Sequence, residues 1–419
     1  MVNVKRKTAI IGNGCAAAEC IIALRQAGCE DEIHVFADNK WDTGNPMLTT
    51  YYLAGKIKFD RLFPYGPNKE FYRRYEAEIH SSSPVVSLDA ENKVVANRDG
   101  YELIYDQCLI ASGASPVIPP IEGVTSQRVY TLRTVDDAVR LEQVLKQKPH
   151  KVLIVGASMV GVKLVELLSK MGMEVCLVDM ADHVFPLISH TECSQVIEER
   201  LIRKGIKLKL GAGIDKIEDT FNGIKAYFSD DKSEEADILM MCIGVRPNIG
   251  FVDCEQVQAQ DGVLVNEHMM TGVPGLYAAG DVAQGMNLLT GTQQIIGLWA
   301  NARYQGRTAG RNIAGKDEEY AGNIPHNITH FMGMDFIGIG NVCEYDRVKT
   351  KQDNNRYMQF FWRDGKLTGA NLIDFKTEAG VVKNAVIKGL IQARLIRSES
   401  FPVIQNCIME RIMAEVEYS

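Results

Sequence analysis

The chain has 419 residues, too many for one core and enough for two or three domains. Its 53 acidic and 46 basic residues leave a net charge of −7, which excludes a broad nucleic-acid-binding face, and 46% hydrophobic content is that of an ordinary globular enzyme. No apolar run approaches the roughly 20 residues of a membrane helix, and MVNVKRKTAIIG runs from a few basic residues directly into a strand, so the expectation is a soluble, cytoplasmic protein without a signal peptide.

The ten cysteines, at 15, 20, 29, 108, 176, 193, 242, 254, 343 and 407, form no C-x-x-C pair. They are expected to be small, buried, reduced thiols, and no metal or cluster is expected to be bound by this chain. Thr8 to Ile11 reads as a strand entering Gly12-Asn13-Gly14-Cys15-Ala16-Ala17, followed by an alanine-rich helix. This is G-x-G-x-x-A, in which Gly12 and Gly14 give a tight turn and let a pyrophosphate approach the helix N-terminus, with Ala17 in the third position. A second strand, Ile33 to Phe36, ends near Asp38, close to where such a fold places an acid on the adenosine ribose; Asn39 is the alternative.

The order then repeats. Val152 to Val155 is a strand before Gly156-Ala157-Ser158-Met159-Val160-Gly161 and a helix through Leu168, and the next strand, Glu174 to Val178, ends in Asp179. An acid there accepts from a ribose 2′-hydroxyl, and no arginine follows among Met180, Ala181 and Asp182 to meet a 2′-phosphate, so NADH is favoured over NADPH. Ser158 replaces the second glycine, which either weakens pyrophosphate contact or adds a hydroxyl donor. Further on, Leu276 to Ala279 reads as an apolar strand delivering Gly280 and Asp281 to a ligand, the glycine permitting close approach and the carboxylate accepting from hydroxyls.

These segments carry a resemblance. TGVPGLYAAGD (Thr271 to Asp281) resembles the second flavin fingerprint of the pyridine nucleotide-disulfide oxidoreductase superfamily, which implies that Asp281 holds the ribityl chain of FAD. YDQCLIASGASP resembles the family's Y-D-x-L-x-I-A-T-G-x-x-P strand and implies Ala111 and Gly113 against the flavin; ADILMMCIGVRPN resembles its A-D…G-x-x-P-N turn and places Gly244 in the second unit as Gly113 stands in the first. GLWANARYQGRTAGRNIAG resembles the family helix whose N-terminus, at Leu298 and Trp299, points N–H groups at the flavin pyrimidine; Trp299 as a plain core anchor is the alternative.

NPMLTTYYLAGK is similar to the R-P-x-L-S-K-x-x-L-x-G run of NADH-dependent rubredoxin and ferredoxin reductases and of the flavin domain of assimilatory nitrite reductase, with Pro46 matching, Asn45 in place of the arginine and Thr50 in place of the lysine. The family glutamate that pairs with that lysine is replaced by Lys163. The resemblance implies either that the cation beside flavin N5 now comes from Lys163, or that Lys163 reaches into solvent. No cysteine lies between Cys29 and Cys108, so the thiol relay of the disulfide reductases is missing.

The implied fold is α/β, two Rossmann-like dinucleotide-binding domains plus a C-terminal α+β domain. The FAD domain is expected at 1–115 and 250–318, an inserted NAD domain at 116–249, and a C-terminal interface domain at 319–419. Strands are expected at Asp335 to Ile339, Tyr357 to Trp362 and Leu367 to Ile373, and helices at Glu378 to Ile396 and Pro402 to Val416. His326 and His330 are not expected to bind metal, because Pro325 opposes the helix such a pair needs. Lys383, Lys388, Arg394 and Arg397 either dock an acidic iron-sulfur protein or form a solvated face. The implied function is an FAD-dependent NADH:acceptor oxidoreductase exchanging electrons with rubredoxin, ferredoxin or the iron-sulfur or metal subunit of a larger enzyme, with a homodimer compatible. An NADH oxidase using O2, a thiol reductase and a redox-sensing flavoprotein of the apoptosis-inducing-factor type are the alternatives.

Overall fold

The computed structural model describes residues 5–353 and 356–389. The expected helix Pro402 to Val416, the end of the helix from Glu378, Arg394, Arg397 and Cys407 lie outside the described residues. The chain forms two compact units: Met1–Pro116 with Arg133–Glu142 and Val245–Asn323, and Val117–Leu132 with Gln143–Gly244 and Ile324–Ser419. Residues from 324, expected as a separate domain from 319, group with the second unit, and Arg133–Glu142 groups with the first.

The first unit is built on an all-parallel sheet in the order Leu276–Ala278, Gln107–Ile110, Lys7–Ile11, Glu32–Phe36, Ala77–His80. Runs such as AIIG and CLIA are apolar throughout because this sheet is covered on both faces. Helix Cys15–Gln26 runs from the first strand's glycine turn and packs against helix Trp299–Ile313. Their approach is set by glycines. A Cβ at Gly306 would lie 2.2 Å from the carbonyl oxygen of Ala16, and one at Gly310 2.5 Å from that of Cys20. The two backbones therefore touch, which only glycine allows.

The second unit repeats the plan with Lys207–Leu210, Glu174–Asp179, Lys151–Val155, Ile238–Met241 and Val129–Tyr130, again all parallel. Its second part is a five-stranded antiparallel sheet, His326–Phe331, Met334–Gly340, Lys366–Ile373, Tyr357–Arg363, Arg347–Gln352, on which helix Ala379–Ile387 packs. The three expected strands are present, the last two joined by a turn with positive φ at both Asp364 and Gly365. Two strands were not expected. His326–Phe331 and Arg347–Gln352 carry polar side chains on an exposed face, so neither shows as an apolar run.

Among the described residues no disulfide forms. Cys15, Cys20, Cys108, Cys176, Cys193 and Cys242 are buried as expected, whereas Cys254 and Cys343 are exposed. No described helix is long and apolar enough to cross a membrane.

Candidate functional site

The two glycine turns are superimposable in chemistry. Gly12 N donates to Phe36 O and Gly156 N to Val178 O, both at 2.8 Å. Both residues adopt φ near the same value, +107° and +108°, and a Cβ would strike the carbonyl oxygen ending the neighbouring strand, Ala111 at 2.2 Å or Cys242 at 2.3 Å. The glycines are thus dictated by the sheet itself. Gly14 is different. Nothing lies within 4 Å of a Cβ built there, and no side chain caps the helix that follows. Open space over uncapped N–H groups is what an anionic pyrophosphate needs, and the residues present fit that group.

Ser158 holds the corresponding place in the second unit and turns its hydroxyl inward. Oγ donates to Cys242 O at 2.8 Å and accepts from Gly161 N at 3.3 Å, capping helix Met159–Lys170. In this structure the hydroxyl is engaged within the protein, as an N-cap. Gly161 is required: its Cβ would lie 1.9 Å from Gly156 O. Asp179, at the end of its strand, accepts from Ala157 N at 2.6 Å and Ala181 N at 2.9 Å, which fixes the carboxylate beside the glycine turn. Gly244 is exposed with φ +112°, and its carbonyl accepts from Val117 N. Lys163 donates to Glu166 Oε2 at 3.4 Å and to the carbonyl of His330, and is mostly covered. Glu166 also accepts from Lys170 and from Met332 N.

In the first unit, Gly280 is buried with φ +87°; its N–H donates to Gln305 Oε1 at 2.9 Å, and a Cβ would meet the Ala16 methyl at 3.3 Å. Asp281 pairs with Arg133 at 2.5 Å, and a Cβ at Gly297 would be 3.8 Å from its Oδ1. Leu298 precedes helix Trp299–Ile313 with no side-chain cap, so the first-turn N–H groups of that helix are available to a ligand. Half-buried Trp299 offers its carbonyl to the Cys15 thiol at 3.7 Å. Gly12, Gly14, Ala17, Ala111, Gly280, Asp281, Leu298 and Trp299 thus belong to one cluster of elements around the first glycine turn.

Burial, with Asp281 nearby, pushes the Cys15 thiol up to about 12. Glu19, on the same helix, is buried and bound by Arg303 at 2.6 Å, Arg307 at 3.0 Å and Tyr65 at 3.0 Å. Burial opposes its charge, but the hydrogen bonds from Arg307, Arg303 and Tyr65 more than offset this, holding the carboxyl below its usual range.

Other expected residues sit around this cluster. Asp38 is exposed and accepts from Asn39 Nδ2 at 2.8 Å; Asn39 also reaches Asn13 of the turn at 3.4 Å. Asn45 accepts from Met47 N and caps the short turn Pro46–Leu48, while Thr49, not Thr50, is buried there and donates to Pro46 O. Gly113 has φ +66°, and its carbonyl accepts from Asn248 N; Ser112 and Ser115 also bond Asn248, so the P-N dipeptide belongs to the first unit. His326 and His330 lie on a strand, His330 bonded to Asp335 at 2.8 Å. Lys383 is half-buried 3.4 Å from His326, burial lowering its pKa, while Lys388 is exposed.

Two residues escaped the sequence reading. Arg133 is brought to Asp281 by T-V-D-D, a reciprocal cap in which Thr134 N donates to Asp137 and Asp137 N to Thr134. That cap was a legible signal. Gln305 stands at the glutamine of the helix pattern that WANARYQG resembles, but its bond to a backbone N–H 25 residues away is not local.

Residues 6–306 match the model of a family described as pyridine nucleotide-disulphide oxidoreductase. The NADH-dependent phenylglyoxylate dehydrogenase subunit epsilon of Aromatoleum evansii is 30% identical over 389 residues, covering 91% of each chain. The NADH oxidase of Methanocaldococcus jannaschii is 30% identical over 338 residues, 79% of this chain and 75% of that one. In fold, the structure of the water-forming NADH oxidase from Lactobacillus brevis bound to NADH matches with a TM-score of 0.89 at 22% identity, covering 99% of both chains.

Proposed function

Since the chain belongs to the pyridine nucleotide-disulphide oxidoreductase family, as an NADH-dependent flavoprotein oxidoreductase whose cofactors are FAD and NADH, we propose that it passes electrons between NAD(H) and a protein redox centre. The observation that carries this reading is the lack, among the described residues, of a usable thiol beside the first glycine turn. No cysteine lies between Cys29 and Cys108, and Cys15, the one in the glycine turn, is buried against Trp299 with its thiol held protonated. A disulfide substrate would find no nucleophile there. The relative that is a subunit of an NADH-dependent dehydrogenase supports a partner that is itself a protein.

FAD, when bound, supplies hydride acceptance from NADH and release of electrons one at a time. The protein's part is placement. The uncapped N–H groups after Gly14 would hold the pyrophosphate, and Asp281, steadied by Arg133, would orient the ribityl hydroxyls. The first-turn N–H groups at Trp299 would stabilise negative charge on the flavin, and Asp179 would accept from the ribose of NADH.

The test is steady-state NADH oxidation with three acceptors: a rubredoxin or ferredoxin under anaerobic conditions, O2, and CoA disulfide. Carrier-dependent turnover well above the other two is expected. Equal turnover with O2 alone, forming peroxide or water, would replace this reading with an NADH oxidase, for which the second relative speaks. Disulfide reduction abolished by thiol alkylation would instead mean a thiol relay.

A further inference from the structure

The sequence carries the tripeptide Glu-Ile-His twice, at 32–34 and 78–80, and the fold makes the two copies parallel neighbours at the edge of the first sheet. His34 is opposite Glu78 and Phe36 opposite His80. Alternate residues of a strand share a face, so Glu32, His34, Glu78 and His80 project together. His34 Nδ1 is 3.3 Å from His80 Nε2 and 3.4 Å from one Glu78 oxygen, and His80 Nε2 is 3.6 Å from the other.

Those separations have a chemical meaning. Around a tetrahedral Zn2+ with bonds of about 2.0–2.1 Å, neighbouring donor atoms lie about 3.3–3.4 Å apart. Hydrogen bonding alone serves the cluster poorly, because a proton shared between the two facing nitrogens leaves His34 Nε2 buried without a partner. If Nδ1 instead gives its lone pair to a metal, the ring proton moves to Nε2, which faces Glu32 at 4.0 Å; a carboxylate behind a ligating histidine is the usual supporting arrangement.

The rings are already held in place. His80 stacks on Phe36 at 4.8 Å and lies against Tyr101 at 5.3 Å, and the His34 ring lies edge to edge with His80, nearly parallel at 17°, with centroids 5.6 Å apart. Glu78 is 63% exposed, so an ion enters from solvent without crossing the core. Two carboxylates balance a divalent charge, while Lys7 is the cation nearby.

We propose that His34, Glu78 and His80 form a divalent transition-metal site suited to Zn2+, with Glu32 orienting His34 and water as the fourth ligand. Nitrogen donors select Zn2+ over Mg2+ or Ca2+, which prefer all-oxygen sets. The site joins the second and third strands of the flavin-binding sheet across an open edge and stands independently of the electron acceptor.

The test uses FAD-loaded protein stripped with a chelator and titrated with ZnCl2 in competition with a chromophoric chelator. One equivalent per chain is expected to bind, Co2+ to give the visible bands of a four-coordinate site, and Zn2+ to raise the melting temperature. His80→Gln and the surface change Glu78→Gln should each lower affinity by at least about tenfold, with flavin absorbance unchanged, whereas His183→Gln should not alter it. Equal Zn2+ affinity in the wild type and both variants would overturn the proposal. So would binding abolished by alkylating Cys254 and Cys343 but untouched in the His80 variant.

Discussion

Gly14 and Ser158 occupy the same place in two turns and differ in what confines them. At Gly14 no protein atom lies within 4 Å of a Cβ, so the fold itself does not demand glycine there, while Ser158 spends its hydroxyl on Cys242 O and Gly161 N. Such matters were only half legible in the sequence. Gly12 and Gly156 could be read because a positive φ beside a neighbouring strand admits nothing else, but the direction of a serine hydroxyl depends on residue 242. Lys163 was opaque for the same reason: one of its partners, the His330 carbonyl, lies 167 positions away. Asp179 belongs to the legible group and carries a prediction. Asp179→Ala removes a charged acceptor worth about 1.5–3 kcal/mol, so KM for NADH should rise about 10- to 100-fold and discrimination against NADPH should fall, with kcat changed far less. Steady-state kinetics with both nucleotides would check it.

At the scale of elements, the first glycine turn rests on the contact between helices Cys15–Gln26 and Trp299–Ile313. Glycine permits their approach at Gly306 and Gly310, and the buried Glu19 carboxylate locks it through Arg303 and Arg307. Both helices were readable as elements, from the alanine run and from WANARYQGRTAG. Their pairing was not, because nothing local links residues some 290 apart in sequence. Glu19 is held below the ordinary carboxyl range in the folded protein, so its contribution is full above the unfolded-state pKa and is lost as pH falls through the lower folded value. Glu19→Gln should cost about 1–3 kcal/mol at neutral pH, less than a fully buried pair because both guanidiniums are partly in water. The variant's melting temperature should also fall less steeply than the wild type's on acidification, which a series of thermal melts would measure.

For the whole molecule, the two nucleotide-binding sheets were legible because each announces itself by a strand, a glycine turn and a distant acid. The antiparallel sheet was legible in part: YMQFFWR and KLTGANLI are apolar enough to show, HNITHF and RVKTKQ are not. Removal of FAD should lower the melting temperature, since a ligand held at 1,000 times its Kd adds about 4 kcal/mol. Hydrogen exchange should then quicken at residues 12–18 and 298–302 while the strands 151–155 and 174–179 stay protected; uniform loosening would contradict it. The first sheet has a further consequence for how the chain is made. Its strand Leu276–Ala278 pairs with Gln107–Ile110, so a chain still leaving the ribosome carries an open strand edge from residue 110 until residue 278 has emerged. During that interval the second parallel sheet, complete by Met241, can already close. The nascent protein should therefore close its second parallel sheet before its first, and a product terminated between the two would be sticky and a natural client for chaperones.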